Sequence, residues 1–259
     1  MEIKNKKHLL IPDCQVKPDH DISYLEHVGE YIAEKTPDVV VQIGDFADMP
    51  SLSSYDVGKK SFEGKRYKDD VAYTKKAMSL LFKPIHKLQK FQSSQHKKQY
   101  NPRLILTLGN HEHRIPRAIN NDAAKLDGVI SVADLGYEAF GWEVSPFLDT
   151  VVVDGIVYSH YFVTGTMGRP VTSPAALINK KHMSCVMGHH QQRGVAYATR
   201  ADGKEIKGIF AGCCYTHDED YLGPQGNKVW RGVWMFHEVN DGQFDEMQVS
   251  LPYLKKRYG

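Results

Sequence analysis

The sequence has no long hydrophobic run and few cysteines. None of its apolar stretches approaches the roughly 20 residues that a transmembrane helix needs, and the apolar run at residues 9–11 is too short for a signal peptide. The cysteines form no C-x-x-C pair and no zinc-binding spacing: they are Cys14, Cys185, Cys213 and Cys214. We therefore expect a cytoplasmic protein with reduced, mostly buried thiols and no membrane partner.

The sequence also has little net charge. It carries 33 Lys and Arg against 31 Asp and Glu, a formal charge of +2, and 41% of its residues are hydrophobic. This balance excludes both an intrinsically disordered chain and a polycation. The length suits one globular unit, so we expect residues 1–259 to form a single domain. Histidine, in contrast, is abundant, with 13 residues.

Short apolar runs predict the strands of an α/β core. The runs at residues 9–11, 39–43 and 104–108 each end at Pro or Gly, and residues 21–35 have the apolar spacing of a helix, with Asp19 or Asp21 as its N-cap. These strands are expected to be parallel. Further strands are predicted at residues 151–158, 185–187, 209–211 and 229–249, the first and last of these segments each folding around an Asp-Gly turn. The pattern indicates an α/β protein with a two-sheet, mixed β-sandwich flanked by helices.

Residues 59–103 form a basic segment within this pattern. They contain 13 Lys and Arg against 3 acidic residues, a local charge of +10, which leaves about −8 for the rest of the chain. Apolar residues recur there at helical spacing, interrupted by Pro84, and this predicts a kinked helical insertion with a basic outer face. Such a face is either an electrostatic track for nucleic acid or simply a solvated surface, and the sequence leaves both interpretations open.

Polar residues that bind metals follow five of the predicted strands. The clusters are Asp13-Cys-Gln15, Gly44-Asp45-Phe-Ala-Asp48, Gly109-Asn110-His111-Glu112, Ser159-His160 and Gly188-His189-His190-Gln191. In open α/β sheets, ligands bind at the carboxyl ends of the strands. One Asp or His in such a place usually belongs to a turn, but turn chemistry does not require these five clusters together. We therefore expect a metal or catalytic site at this edge.

The order and spacing of these clusters resemble the calcineurin-like metallophosphoesterase superfamily. Its pattern is D-x-H, G-D-x-x-D, G-N-H-E, a later His and G-H-x-H, on a two-sheet sandwich flanked by helices. Residues 44–48 and 109–112 match in full, and the resemblance extends over residues 13–191. The D-x-Q opening is closest to phage-encoded members, which implies the host cytoplasm as the location.

The resemblance implies a hydrolase in which two divalent cations activate water for in-line attack on phosphorus. Asp13 would bind the first metal, and Asp45 would bridge both. Three further residues would complete the second site, namely Asn110, His160 and His189.

The resemblance also implies roles for residues around the metals. His111 would protonate the leaving oxygen or stabilise its charge, and Asp48 would orient that histidine. For Asp48, a helix N-cap remains the alternative. Arg114, Arg117 and Arg169 are candidates to bind a substrate phosphate, although each is equally well explained as a solvated loop residue.

Two histidines of the family pattern are replaced. Gln15 stands in the D-x-H motif and Gln191 in the G-H-x-H motif, and both would be ligands of the first metal. That site would then offer only oxygen donors, so we expect Mn²⁺ as the cofactor, with Mg²⁺, Fe²⁺, Zn²⁺ or Ni²⁺ as alternatives and the first site weaker than the second. Cys14 and His190 are less suitable ligands, because neighbours of a ligand in an extended segment point away from it. A scaffold that has lost catalysis is the alternative.

The expected substrate is a phosphodiester in a nucleic acid or nucleotide, including single-stranded or damaged nucleic acid. A phosphomonoesterase acting on a small molecule or protein is the second hypothesis, and a metal-binding interaction module without turnover is the third. The G-D-x-x-D-R-G extension of protein Ser/Thr phosphatases is absent, since Met49-Pro50 follows Asp48.

Overall fold

A computed structural model describes residues 5–259, which form two mixed β-sheets with flanking helices, consistent with a two-sheet sandwich. The strands are β1 (Lys6–Ile11), β2 (Val39–Gln42), β3 (Arg103–Thr107), β4 (Glu143–Ser145), β5 (Val151–Val153), β6 (Ile156–Ser159), β7 (Cys185–Met187), β8 (Arg193–Thr199), β9 (Glu205–Ala211), β10 (Gly232–Asn240) and β11 (Gln243–Ser250). The helices are α1 (Tyr24–Lys35), α2 (Tyr67–Ser94), α3 (Arg114–Asn121), α4 (Ala123–Leu126), α5 (Pro174–Lys181), α6 (Gly223–Gly226) and α7 (Leu251–Tyr258).

The larger sheet has the strand order β11-β10-β1-β2-β3-β4, and the smaller one has the order β5-β6-β7-β9-β8. Strands β1 to β4 are parallel to one another, as are β6, β7 and β9. The remaining neighbours are antiparallel. The predicted parallel core and the two predicted hairpins, β5-β6 and β10-β11, are therefore confirmed.

The apolar runs belong to strands that are buried on both faces. In β1, Leu10 packs between the two sheets with Val186 of β7, whereas its neighbours Leu9 and Ile11 face the helices. All of these side chains are fully buried. Because successive side chains of a strand point to opposite faces, a doubly covered strand needs apolar residues at every position.

Helices α1 and α2 cover the outer face of the larger sheet and cross closely at Gly29. A Cβ atom at that position would overlap the carbonyl oxygen of Leu81 and lie 3.0 Å from Cδ of Pro84. Helix α2 continues through Pro84, which is buried, so the proline does not end the predicted helix. The close contact with α1 holds α2 on the sheet at this point, where the proline ring itself contributes to the packing. The predicted basic outer face is confirmed: Lys68, Lys75, Lys76, Lys83, Lys87 and Lys90 are exposed.

The start of α1 differs from the prediction. Its N-cap is Ser23 rather than Asp19 or Asp21. Asp21 instead accepts a hydrogen bond of 2.9 Å from the backbone N–H of Ser23, and so forms a turn ahead of the helix. The four cysteines are buried free thiols, as predicted. Within residues 5–259, no helix has the length and apolar character to cross a membrane.

Candidate metal centre

The polar clusters meet at one edge of the molecule because parallel strands end there. Asp13, Asp45 and Asn110 follow β1, β2 and β3 of the larger sheet. His160 and His189 follow β6 and β7 of the smaller sheet. The two sheets therefore bring residues from both halves of the chain to a single centre, as expected for the carboxyl ends of parallel strands.

Three side chains at this edge can hold a metal ion, and a fourth completes the set. The ligand atoms of Asp45, His160 and His189 all lie within 4.8 Å of one another. Oδ2 of Asp45 is 3.3 Å from Nε2 of His160. Oδ1 of Asn110 lies 3.0 Å from that nitrogen and 2.8 Å from Nδ1 of His189. These four atoms are the donors predicted for the second metal.

The glycines next to the ligands allow this convergence. A Cβ atom at Gly109 would overlap the side chain of Asp45, and one at Gly188 would overlap the carboxylate of Asp13. Asp45 and His189 themselves adopt left-handed backbone conformations, with φ of 51° and 66°. Such angles are costly for residues other than glycine, and they turn the chain sharply so that the side chains point into the centre.

The electrostatics of the centre favour a positive charge. Nδ1 of His160 donates to the carbonyl oxygen of Ile43 at 3.0 Å, which leaves Nε2 directed at Asp45 and Asn110. Burial opposes protonation of His160, but the carboxylates of Asp45 and Asp13 raise its pKa to about 9. Burial and the charge on His160 lower the pKa of His189 to about 4. Positive charge is thus stabilised at His160, whereas His189 is neutral. A bound metal ion could supply this positive charge in place of the proton on His160.

The predicted first site has a different character. Burial raises the pKa of Asp13 to about 7, and its carboxylate accepts a 3.0 Å hydrogen bond from the backbone N–H of His189. Both amide atoms of Gln15 are buried without a hydrogen-bond partner. An orphaned buried amide is costly, and a cation would satisfy its oxygen, though not its NH₂ group.

Gln191 is oriented less favourably for binding a metal. Its Oε1 accepts a 3.1 Å hydrogen bond from the hydroxyl of Tyr215. Its Nε2 lies 3.4 Å from Oδ2 of Asp13. An amide nitrogen is not a metal ligand, so in this orientation Gln191 supports Asp13 rather than a cation.

His111 and Asp48 form a buried pair beside these ligands. Nδ1 of His111 donates to Oδ1 of Asp48 at 2.6 Å, and Nε2 lies 3.7 Å from Oδ2 of Asp45. Burial opposes the charged imidazole, but the carboxylates of Asp45 and Asp48 raise the pKa of His111. Asp48 does not cap a helix: the short 3₁₀ turn that follows has Met49 as its N-cap. The N-cap alternative for Asp48 is therefore wrong.

Glu112 has a role that the sequence motif did not disclose. Its carboxylate accepts hydrogen bonds from the backbone N–H groups of Asp45, Ala47 and Gly109, at 3.0, 2.9 and 2.9 Å, and from the hydroxyl of Tyr137 at 3.1 Å. It thereby joins the loops that follow β2 and β3. The G-N-H-E motif marked this position, but only Gly109 among its partners lies in the motif; Asp45, Ala47 and Tyr137 come from distant parts of the chain.

The three arginines predicted to bind phosphate have different positions. Arg114 lines the cleft above the centre and donates through Nη1 to the carbonyl oxygen and Oδ1 of Asp48, at 2.8 and 3.2 Å. Arg117 is half-buried on α3, and Arg169 is exposed in the glycine-rich loop. The structure does not bring these last two into the lining of that cleft.

Two histidines near the site pack against other groups. His190 stacks on Phe210 at 4.7 Å, and its Nε2 donates to the carbonyl oxygen of Val171 at 2.9 Å. The ring of His113 lies 4.7 Å from that of Phe147. His190 also lies edge-on to the ring of His189, with the centroids 5.7 Å apart, and so packs against one of the candidate ligands.

A cleft of about 900 Å³ opens over the centre. Its lining includes Asp45, Asn110 and His111 of the centre, together with Tyr55 and Lys59. The apolar residues Phe210, Leu222 and Val229 also line it. The volume is within the range of sites for small molecules, roughly 300–1,000 Å³.

No family model matches this chain. Gene 54 protein of Mycobacterium phage L5 is 24% identical over 213 residues, which is 80% of this chain and 77% of that protein. A solved structure is similar with a TM-score of 0.45 and 14% identity, over 95% of this chain and 100% of that one. The name of the phage protein states no activity.

Proposed function

We propose that this protein is a metal-dependent phosphoester hydrolase of the calcineurin-like type, with a nucleic acid or nucleotide phosphodiester as its substrate. The strongest support is the juxtaposition of two units at one strand edge. One is the metal-ligand set of Asp45, Asn110, His160 and His189, and the other is the buried His111–Asp48 pair. A metal site alone serves many purposes, but a histidine held by a carboxylate within 4 Å of a ligand oxygen is suited to proton transfer.

Divalent cations bound by these residues would supply charge neutralisation for the phosphate and an activated water. His111 holds a proton on Nδ1 through its hydrogen bond to Asp48, and it presents Nε2 on the side of Asp45. Protonated at Nε2, it can donate to the leaving oxygen. Asp48 keeps the ring oriented for this transfer and stabilises its positive charge.

The donor sets favour two sites of unequal strength. The second site has two imidazoles with carboxylate and amide oxygens, whereas Gln15 and Asp13 offer oxygen donors alone at the first. Hard oxygen donors suit Mn²⁺ or Mg²⁺ better than Zn²⁺. We therefore keep Mn²⁺ as the proposed cofactor, with a weak and exchangeable first ion.

A diester of a nucleotide or nucleic acid suits the cleft better than a protein substrate. The cleft has the size of a nucleotide site, with Lys59 and Arg114 near His111 for phosphates and Tyr55 for stacking on a base. The exposed lysines of α2 extend this positive surface. A phosphomonoesterase with a small substrate is the second candidate, because the same metal set would bind a terminal phosphate.

Turnover assays on protein freed of metal and then supplied with Mn²⁺ test the proposal. Bis-p-nitrophenyl phosphate, p-nitrophenyl phosphate and single-stranded DNA distinguish a diesterase, a monoesterase and a nuclease. We expect hydrolysis of the diesters. On single-stranded DNA, whose leaving alkoxide needs a proton, His111→Ala should lose about 10²- to 10⁴-fold in rate with the metal content unchanged. If none of the three is hydrolysed while metal still binds, the protein is an interaction module and the proposal is wrong.

A further inference from the structure

A line of alternating charges continues from His111 towards the surface. Oδ2 of Asp48 lies 3.3 Å from Nζ of Lys17. The same ammonium is 2.7 Å from Oε1 of Glu219, which in turn lies 2.7 Å from Nε2 of His217. The side chains of Asp48, Lys17 and Glu219 are 9%, 11% and 8% exposed. The proposed function assigns no role to Lys17 or to Glu219.

The backbone fixes Lys17 next to Asp48. Beyond the ends of β1 and β2, Val16 and Ala47 form an isolated parallel bridge. The backbone N–H of Asp48 donates to the carbonyl oxygen of Val16 at 2.9 Å. Lys17 and Asp48 directly follow the two bridged residues, so their backbones lie side by side and their side chains can contact each other.

The backbone of Glu219, the second carboxylate partner of Lys17, is fixed by the side chain of Asn227. Its backbone N–H donates to Oδ1 of Asn227 at 2.8 Å, and its carbonyl oxygen accepts from Nδ2 of the same amide at 2.9 Å. Burial opposes ionisation of Glu219, but His217 and Lys17 lower its pKa. The Lys17 ammonium therefore sits between two carboxylates, each on a fixed backbone.

The two oxygens of Asp48 have different partners. Oδ1 faces His111 at 2.6 Å and Arg114 at 3.2 Å, whereas Lys17 is the cation on Oδ2. The terminal torsion of an aspartate is soft, so a carboxylate with partners on one oxygen alone can rotate. A cation on the second oxygen stops that rotation, and it keeps Oδ1 aimed at the imidazole.

We propose that Lys17, itself anchored by Glu219, is a positioning residue that holds Asp48, and through it His111, in place for protonating the leaving group. The inference rests on the proposed hydrolase function and adds two residues to it. Buried ion pairs contribute little net stability compared with apolar packing, so stabilisation alone is a poor explanation for this pair. Orientation of a reacting group is a use that such a pair serves well.

The experiment separates leaving-group protonation from every other step. The substrates are p-nitrophenyl methyl phosphate and phenyl methyl phosphate, which differ only in the leaving group. Both are assayed in the presence of Mn²⁺. Phenol has a pKa of about 10, like a tyrosine side chain, and therefore needs a proton on departure. p-Nitrophenolate is a far weaker base and leaves without one. The ratio of kcat on the two esters measures the contribution of His111.

For Lys17→Met we expect kcat on the phenyl ester to fall roughly 10- to 100-fold, which is part of the roughly 10²- to 10⁴-fold that general acid catalysis contributes. We expect kcat on the p-nitrophenyl ester to fall less than about 3-fold. Lys17→Arg keeps the cation and should restore most of the ratio. Glu219→Gln should shift it in the same direction as Lys17→Met, by a smaller factor. His111→Ala removes the acid altogether, so it gives the largest change in the ratio of kcat values that loss of the acid can produce.

Lys207→Met is the matched control. Lys207 is also a buried lysine paired with a glutamate, Glu246, at 2.6 Å, but it lies on β9 away from the metal ligands. Its loss should lower the melting temperature without altering the ratio of the two rates. If Lys17→Met and Lys17→Arg fold, retain metal and reduce both rates equally, or change neither, the positioning role is wrong. Absence of turnover in the unmodified protein would instead contradict the proposed function.

Discussion

Glu112 shows how a single buried side chain holds the candidate site together. Three backbone N–H groups and one hydroxyl donate to its two oxygens, and two of those N–H groups belong to Asp45 and Gly109, next to the metal ligands. Burial, reinforced by the negative charge of Asp45, raises its pKa. The cost of burying this carboxylate is offset by four donors, so its removal should disturb both stability and metal binding.

Glu112→Gln is expected to destabilise the protein by about 1–3 kcal/mol, because the new NH₂ group faces N–H donors and leaves at least one of them unsatisfied. Thermal unfolding measures this loss. Metal affinity should fall in parallel, since the backbone of Asp45 loses its anchor. Tyr137→Phe is the control: it removes the hydroxyl donor alone and should cost about 1 kcal/mol. Equal losses of stability in the two variants would contradict the idea that the Glu112 carboxylate holds the loops after β2 and β3 together.

The two glutamines define a second prediction at the residue scale. Calorimetric titration of metal-free protein with Mn²⁺ should give one tight and one weak site. Gln15→His should tighten the weak site by about tenfold or more, about 1.4 kcal/mol, because it adds an imidazole where an unpaired amide now stands. Gln191→His should help less, since Tyr215 holds that side chain.

His86→Gln is the control for this titration, as His86 is exposed on α2, away from the candidate ligands. It should leave both affinities unchanged. Two equally tight sites in the unmodified protein would show that the glutamines are not weak ligands, and the unequal-site hypothesis would be wrong.

The candidate ligands and their convergence at one strand edge were predictable, but the side chains that hold them in place were not. The strand-end clusters identified Asp45, His160 and His189, which the structure brings together. Lys17 and Glu219 are separated by 202 positions, and the pairing of such distant residues leaves no local pattern in a single sequence. The orientation of Gln191 likewise depends on a tyrosine that no motif indicates.

At the scale of elements, the buried strands were predicted from the sequence, whereas partly exposed or short elements were not. The central strands have apolar residues at consecutive positions because both faces are covered, and they were predicted. Strand β8 lies at an edge and is partly exposed along its length, so its pattern is weak. Helices α3, α5 and α7 have eight residues each, too short for a clear helical period.

Helix α7 is tied to α1 by a charged cluster, and this predicts a dependence on pH. Hydrogen bonds from Lys35, Tyr258 and Arg257 lower the pKa of Glu34 from 4.5 to about 2. Because the folded pKa is the lower one, the cluster stabilises the fold above pH 4.5, and this contribution is lost as the pH falls towards 2. The side chain is 35% exposed, so salt should weaken the effect.

Melting temperatures of the unmodified protein and Glu34→Gln, measured from pH 7 to pH 2, test this directly. Their difference should be largest above pH 4.5 and should vanish near pH 2. Glu63→Gln, which changes an exposed acid outside this cluster, provides the control. A difference that persists unchanged at low pH would mean that packing, and not the ionised carboxylate, accounts for the stabilisation.

On the scale of the whole molecule, charge is divided between two regions. The segment 59–103 carries +10 and the rest about −8. The two regions meet at the cleft, because Lys59 is among its lining residues. The backbone N–H of Ser51 also donates to Oδ2 of Asp70, at 3.0 Å, so the first turn of α2 is tied to the loop that follows Asp48. The basic surface of α2 therefore begins beside the candidate site.

If that surface binds single-stranded nucleic acid, affinity will depend steeply on salt. Each phosphate contact on a single strand contributes about 0.7 to the slope of log affinity against log salt. Replacing the exposed Lys76, Lys87 and Lys90 together by Glu should therefore reduce the slope by about 2 and weaken binding, measured by fluorescence anisotropy with a labelled oligonucleotide. Hydrolysis of bis-p-nitrophenyl phosphate should be unchanged, because a small diester does not reach these side chains.

The matched control makes the same change of charge elsewhere, with Lys180, Lys255 and Lys256 replaced by Glu on α5 and α7. All three are exposed, so any effect of net charge on a polyanion is reproduced without altering α2. A reduced slope in the α2 variant alone would assign nucleic-acid binding to that helix. Equal reductions in both variants would attribute it to overall charge, and no reduction in either would make the basic face a solvated surface.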